Sequence, residues 1–253
     1  MFLDLDKKDW RMIVNSNEVK IELKAQASEK YKANVVKMGI PEEYSIGVST
    51  SVIRALAKKI GKSNELAFEL WNTCYHEARL LAVLLFNSKE ISSANIEKLM
   101  KEVISWDLCD HLCKNLIIKR KDYDDFIMKW INSTHIYEKR ASFTLMASSV
   151  IHDKKISNNR IDTYLKLIYE NSDNEHEHIK KAVSWALREI GKKDFDYNEK
   201  ALLVAHELIE NCNKTQIWIG KDAKKELENL VQVEGRKRLI STKTKMGSNT
   251  TKE

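Results

Sequence analysis

One proline and seven glycines are spread over the 253 residues of the chain. The tight turns that join the strands of a sheet depend on these two residues, because glycine adopts positive φ angles and proline fixes φ. Apolar residues recur instead at helical spacing along nearly the whole sequence. The sequence therefore predicts an all-α protein whose helices are joined by short polar loops.

The helical pattern divides into pairs. A helical entry segment is predicted over 10–34, an irregular stretch over 35–48, and a helix that is capped by Ser49 and Thr50 and ends at Ile60. Five helix pairs follow: 64–74 with 76–86, 94–104 with 107–118, 123–131 with 136–151, 160–170 with 175–191, and 199–211 with 215–230.

Successive pairs begin roughly 30 to 37 residues apart, on the short side of the HEAT range. In such arrays the corresponding helices of successive pairs lie side by side. The expected fold is a HEAT-like helical-repeat solenoid, an α-α superhelix, whose second helices form a concave basic face. We expect one domain over 1–240 and a disordered polar tail over 241–253.

Charge is distributed unevenly. The net charge is +6, and residues 214–253 hold ten Lys and Arg against five Asp and Glu. This excess suggests a polyanionic partner, although a solubilising tail is preferred for 243–253. No apolar run approaches the roughly 18 residues of a membrane span, and the acidic start differs from a signal peptide. Four cysteines without framework spacing indicate reduced thiols and a cytoplasmic location.

The second helix of the second pair carries Trp106 and Asp110, four residues apart and therefore on one face. Taken alone, this pair is more simply explained by a core tryptophan and a first-turn carboxylate that favours the helix dipole.

Later second helices carry cations beside aromatics. Arg140 follows Lys139 and precedes small residues, which leaves room for a ligand. Trp185 shares a stripe with Lys181 and Arg188, a combination that suits a sugar-phosphate chain. A core tryptophan with snorkelling cations explains the stripe equally well.

Two other helix starts are candidate phosphate contacts: His76 with Arg79, and Ser49 with Thr50, for which helix capping is an equal explanation. His176 and His178 point to different sides of a helix and lack a third ligand at suitable spacing. We predict no metal site and no cofactor, because no Gly-rich phosphate loop or catalytic elbow occurs either.

Together, these residues resemble the DNA alkylation repair family, the AlkD-type HEAT-like-repeat DNA glycosylases. The resemblance covers roughly residues 30 to 230. It is carried by Trp106 with Asp110, by Arg140, and by Trp185 with Arg188, in that order. The string Tyr75-His76-Glu77-Ala78-Arg79-Leu80-Leu81-Ala82 is similar to one subgroup of the family.

The resemblance implies an enzyme that excises N3- and N7-alkylated purines from duplex DNA without flipping the lesion into a pocket. It assigns catalysis to Trp106, Asp110 and Trp185 around the deoxyribose, with Arg140 on the backbone nearby. Further DNA contacts are expected from a set of polar and basic residues: Arg188, Lys181, Lys139, His76, Arg79, Ser49 and Thr50. A monomer without membrane contact is expected, associated with the nucleoid when bound to DNA.

The chemistry fits these residue types. An alkylated purine is cationic and already a good leaving group, so positive charge moves onto the sugar as the glycosidic bond breaks. A fixed carboxylate stabilises that charge, and indole faces also favour a cation. The alternatives are a non-catalytic HEAT-like protein that binds distorted or branched DNA, and a protein-binding scaffold. Asp110 favours the enzyme over the non-catalytic DNA-binding protein. The tryptophans and cations favour the enzyme over the protein-binding scaffold.

Overall fold

The structure, a computed structural model, describes residues 15–210 and 213–250. Within these residues the regular secondary structure is almost entirely helical, which confirms the all-α prediction. The first seven helices are α1 (Ser16–Ala25), α2 (Glu29–Lys37), α3 (Thr50–Ile60), α4 (Asn64–Asn72), α5 (His76–Leu85), α6 (Ser93–Lys101) and α7 (Trp106–Asn115). Then follow α8 (Tyr123–Trp130), α9 (Ile136–His152), α10 (Asn158–Glu170), α11 (Glu177–Gly191), α12 (Phe195–Glu210), α13 (Lys214–Leu227) and α14 (Lys245–Thr250).

Serine side chains cap three of the early helices, and the cap at Ser49 is the predicted one. Ser49 Oγ accepts the N–H of Val52 at the start of α3, and Ser63 and Ser92 cap α4 and α6 in the same way. The entry segment consists of two helices, α1 and α2. Residues 10–14 and 211 of the predicted helices lie outside the described residues.

The chain groups into two compact units, residues 1–120 and 121–253. In the first unit, α4 packs against α5, and α5 also packs against α3 and α7. Large side chains such as Trp71, Leu81 and Phe86 fill the core between them. The second helices α5 and α7 are therefore neighbours, as a helical repeat requires.

In the second unit, α9 packs against α8 and α11, and α11 packs against α13. Second helices of successive pairs again lie side by side. Trp130, Phe143 and Tyr164 are among the largest fully buried side chains of this unit. Because Arg140 of α9 binds the carbonyl of His178 of α11, the starts of these two helices lie together.

The C-terminal segment differs from the predicted disordered tail. Leu230–Val231 (β1) and Ile240–Ser241 (β2) form an antiparallel ladder, and α14 follows. Arg238 anchors the segment by donating to the Glu189 carboxylate at 2.9 Å and to the carbonyl oxygens of Val150 and Glu189. Composition does not reveal this order, because it depends on contacts with distant residues such as the half-buried Arg238–Glu189 ion pair and the β1–β2 ladder. Residues 251–253 lie outside the described part.

No helix within 15–210 and 213–250 is long and apolar enough to cross a membrane.

Candidate functional site

Trp106 and Asp110 lie one turn apart on α7. Trp106 is the first residue of the helix and is 37% exposed, so it is not the core residue that base rates favour. The Asp110 side chain is only 13% exposed, and its Oδ2 lies 3.8 Å from Nζ of Lys114. Asp107 rather than Asp110 occupies the first turn of α7. An accessible indole and a largely buried carboxylate thus lie one turn apart on this helix.

His76 joins α5 to α7 at the same end. Its Nε2 lies 2.8 Å from Oδ2 of Asp107, and the histidine is 3% exposed. Burial opposes ionisation of Asp107, but the hydrogen bond and charge of His76 outweigh it and lower the pKa of this carboxyl. The imidazole is therefore engaged inside the protein, and the pair holds the start of α7, where Trp106 lies, against α5.

Arg79 is also an internal residue. Its Nε donates to the carbonyl of Trp71, and Nη1 donates to the carbonyl of Glu102 at 3.0 Å. The guanidinium lies over the Trp71 ring, whose Nε1 donates to the Glu102 carboxylate. These bonds hold α4, α5 and the end of α6 together, and the residue is 9% exposed. Neither His76 nor Arg79 is placed to meet a phosphate directly.

Arg140 has a similar buried setting in the second unit. It is 7% exposed, and Nη1 donates to the carbonyl oxygen of His178 at 2.5 Å. This bond ties the second turn of α9 to the first turn of α11. Lys139, its neighbour, is half-buried. In the structure Arg140 therefore holds α9 and α11 together at the starts of these two helices.

The stripe on α11 contains one exposed cation, Lys181, and one cation in ion pairs with α13, Arg188. Trp185 is half-buried, Lys181 is exposed, and Lys181 lies 3.0 Å from Glu177. Arg188 is held more firmly, with Nη1 2.8 Å from Glu226 and Nε 3.8 Å from Asp222. Lys181 is thus the cation of this stripe that faces solvent, while Arg188 connects α11 to α13.

Ser49 and Thr50 begin α3 at the end of a tightly held loop. The Glu77 carboxylate is fully buried and accepts the backbone N–H groups of Ile46 at 2.9 Å, Gly47 at 2.6 Å and Val48 at 3.4 Å. Thr50 is exposed beyond this loop. Glu77 therefore fixes the backbone that presents both hydroxyls.

Two structural residues escaped the sequence analysis. Asp107 and Glu77 both lie close in sequence to the residues that carry the resemblance. No sequence pattern indicates, however, that Asp107 pairs with His76 or that Glu77 binds the loop at Gly47. Among residues 15–210 and 213–250 no group of three His, Cys, Asp or Glu side chains is placed to hold a metal ion.

A family model described as DNA alkylation repair enzyme matches residues 19–227. The chain belongs to this family. No curated protein matches it. One similar solved structure comes from "a new family of proteins related to the HEAT-like repeat DNA glycosylases with affinity for branched DNA structures".

The similarity to that structure has a TM-score of 0.71 at 21% identity and covers 95% of this chain and 94% of that chain. It confirms the predicted HEAT-like helical-repeat fold. In this member of the DNA alkylation repair family, α7, α9 and α11 all lie inside the matched residues. Trp106, Asp110, Arg140 and Trp185 are therefore part of the family region, and membership implies a DNA ligand.

Proposed function

We propose that the protein is a DNA glycosylase that removes N3- and N7-alkylated purines from duplex DNA in base excision repair. The observation that carries this function is the pair on α7: an accessible indole, Trp106, and one turn later a carboxylate, Asp110, that is 13% exposed. A partly enclosed carboxylate interacts more strongly with a developing cation than a fully solvated one does, because water screens it less.

In this mechanism the alkylated purine leaves with the bonding electrons, and its own positive charge is neutralised. The sugar acquires oxocarbenium character, which the Asp110 carboxylate stabilises. The carboxylate also orients the water that attacks C1′ and accepts the proton that this water loses as the C1′–O bond forms. Trp106 offers an indole face to the same charge. No cofactor enters these steps, and the base needs no extrusion into a pocket.

The remaining assignments rest on the burial of each residue. Trp185 is proposed to contact the deoxyribose, and Arg140 to act on DNA through the position of α11, because its guanidinium binds the His178 carbonyl. Lys181, Lys139, Ser49 and Thr50 are proposed phosphate contacts. Arg188, which binds Glu226, is proposed to support Trp185 and Lys181 from behind. We place the protein as a monomer in the cytoplasm, associated with the nucleoid.

A second candidate function is recognition of branched DNA without catalysis. The similar solved structure is described by affinity for branched DNA and by its relation to the glycosylases. Asp110 favours the first candidate, since a carboxylate near the phosphates repels them but stabilises a developing sugar cation.

Base release from methylated duplex DNA tests the proposal. Single-turnover release of 7-methylguanine by the wild type is compared with that by Asp110→Asn, and DNA binding is measured in parallel. We expect Asp110→Asn to lose about a hundredfold or more in rate while it keeps DNA affinity. Asp173→Asn, at an exposed loop position, is the matched control and should retain activity.

Equal rates for wild type and Asp110→Asn would refute the role of the carboxylate. If the wild type releases no alkylated purine but binds a four-way junction more tightly than a duplex, the non-catalytic function replaces the glycosylase.

A further inference from the structure

A run of four rings crosses the first turns of α9 and α11. We call it the imidazole–phenol patch: His135 and Tyr137 at the start of α9, and His176 and His178 at the start of α11. Ring centroids are 6.3 Å apart for His135 and Tyr137, 6.1 Å for Tyr137 and His178, and 5.4 Å for His176 and His178. The Tyr137 and His178 planes are within 25° of parallel.

The patch is built twice from one local pattern. Residues 135–141 read HIYEKRA and residues 176–182 read HEHIKKA. Each string gives a histidine, an aromatic ring two residues later, a lysine, a second cation and an alanine at matching positions. In both helices the histidine is the N-cap, and its side chain accepts a backbone N–H, from Glu138 in α9 and from His178 in α11.

These rings are not core side chains. His176 is exposed, and His135, Tyr137 and His178 are half-buried. A metal centre does not explain them either, because among residues 15–210 and 213–250 no group of three His, Cys, Asp or Glu side chains is placed to hold a metal ion. Rings that are neither buried nor ligating offer flat faces to another molecule.

Burial lowers the pKa of His178, and the charges of Arg140, His176 and Lys181 add to this effect. His178 therefore presents an uncharged imidazole at neutral pH. An uncharged ring beside a phenol is suited to stacking rather than to pairing with an anion.

Cations surround the rings. Lys139, Lys180 and Lys181 lie within the first two turns of the two helices, with Arg140 buried below. Against them stand Glu138, which is buried and bonded to Ser133, and Glu177, which pairs with Lys180 and Lys181. The positive ends of both helix dipoles add to this surface. Flat rings bordered by cations match a strand that alternates bases and phosphates.

We propose that the imidazole–phenol patch binds unpaired nucleotides, with bases stacked on Tyr137 and His178 and phosphates held by Lys139 and Lys181. Bases inside a duplex already stack on each other, so only an unpaired or displaced strand can supply their faces. An acidic peptide could match the lysines but would leave the rings unused. This binding does not depend on base excision, and its test contains no alkylated base.

The test uses the full chain and fluorescein-labelled oligonucleotides in an anisotropy titration at low salt. The probes are a ten-residue thymidine oligonucleotide, its uridine counterpart and a duplex of equal length, with a glutamate decapeptide as competitor. Tyr137→Ala and His178→Ala should each weaken thymidine-oligonucleotide binding by roughly fivefold to a hundredfold, the range of one stacked base. Tyr137→Phe should keep the affinity, because stacking does not require the hydroxyl.

His152→Ala is the matched control, since His152 is an exposed imidazole at the other end of α9. It should bind like the wild type, and circular dichroism should show the same melting temperature for each variant that is compared. Ultraviolet crosslinking of the wild type to the thymidine oligonucleotide provides a measurement without substitutions. The crosslinked peptide should contain residues of 135–139 or 176–181.

Equal binding of the uridine oligonucleotide supports a site for unpaired bases of either sugar. Unchanged affinity for Tyr137→Ala, crosslinks confined to other helices, or full displacement by the glutamate peptide would overturn the proposal. Loss of 7-methylguanine release leaves these measurements unaffected, so a failure of the glycosylase function and a failure of the patch are distinguishable.

Discussion

The Glu77 carboxylate accepts the backbone N–H of Gly47 at 2.6 Å, inside the protein and without exposure to solvent. The N–H groups of Ile46 and Val48 point at the same carboxylate. One side chain of α5 thus holds three consecutive amides of the loop that enters α3. A buried carboxylate is tolerated here because backbone donors replace its hydration.

Replacing Glu77 with glutamine should destabilise the first unit. The amide keeps the size of the side chain but turns one acceptor into a donor that faces backbone N–H groups. We expect the free energy of unfolding to fall by about 2 to 4 kcal/mol, measured by urea denaturation. Glu65→Gln, at an exposed position on α4, is the control and should change stability little. Equal stability of the two variants would show that the stability of the loop at residues 46–48 does not depend on the Glu77 carboxylate.

Gly47 should not accept a side chain. Its φ is +93°, and a Cβ would lie 2.7 Å from the Ser28 carbonyl oxygen and 2.8 Å from the Lys32 backbone nitrogen. Gly61 has a similar φ of +85° but open space around its Cβ position. Gly61→Ala therefore measures backbone strain alone, which costs on the order of 1 to 3 kcal/mol at its φ of +85° and ψ of −165°. Gly47→Ala should cost clearly more in thermal denaturation, and matching losses would exclude a steric role for this close approach.

His111 should make stability depend on pH. Burial, followed by the charge of Arg54, lowers its pKa to about 4. Nε2 lies 3.1 Å from the Leu80 carbonyl and Nδ1 3.2 Å from the Asn115 amide, so the neutral ring fits as donor and acceptor. The unfolded chain takes up this proton first, so the contribution of His111 is present above about pH 6.5 and declines towards pH 4.

The loss from His111 should approach about 2 to 3 kcal/mol. Urea denaturation at pH 7, 6 and 5 measures it. His111→Gln offers a donor and an acceptor but no titrating group, and should show a shallower dependence over this range. An identical dependence in the variant would assign the effect to other groups.

Lys181 and Arg188 should separate DNA binding from stability. Lys181 is exposed, so Lys181→Gln should lower the slope of log K against log salt by about 1 without a change in melting temperature. Burial opposes ionisation of Glu226, but Lys192 and Arg188 outweigh it and lower the pKa of that carboxyl. Arg188→Gln leaves Glu226 short of a partner and should reduce stability by roughly 1 to 3 kcal/mol. The reverse pattern would place Arg188 at the DNA.

The all-α class, the helix pairs and most helix ends could be predicted because they depend on local features. Apolar spacing, serine caps and the scarcity of proline act within a few residues. Trp106 and Asp110 could be placed on one face for the same reason, since four residues make about one turn. The resemblance to the DNA alkylation repair family also follows from order and spacing alone.

Burial of polar groups could not be predicted in this way. His76, Arg79 and Arg140 were expected to contact DNA, but each has a partner 31, 23 or 38 residues away that holds it inside the protein. The C-terminal segment likewise makes contacts that composition does not reveal, such as the bond from Arg238 to Glu189 and the pairing of Ser241 with Leu230. The sequence by itself determined which helices form and which chemical groups they carry. Only the tertiary structure decided which of those groups face solvent, because helix packing over long chain separations sets the partners of each charge.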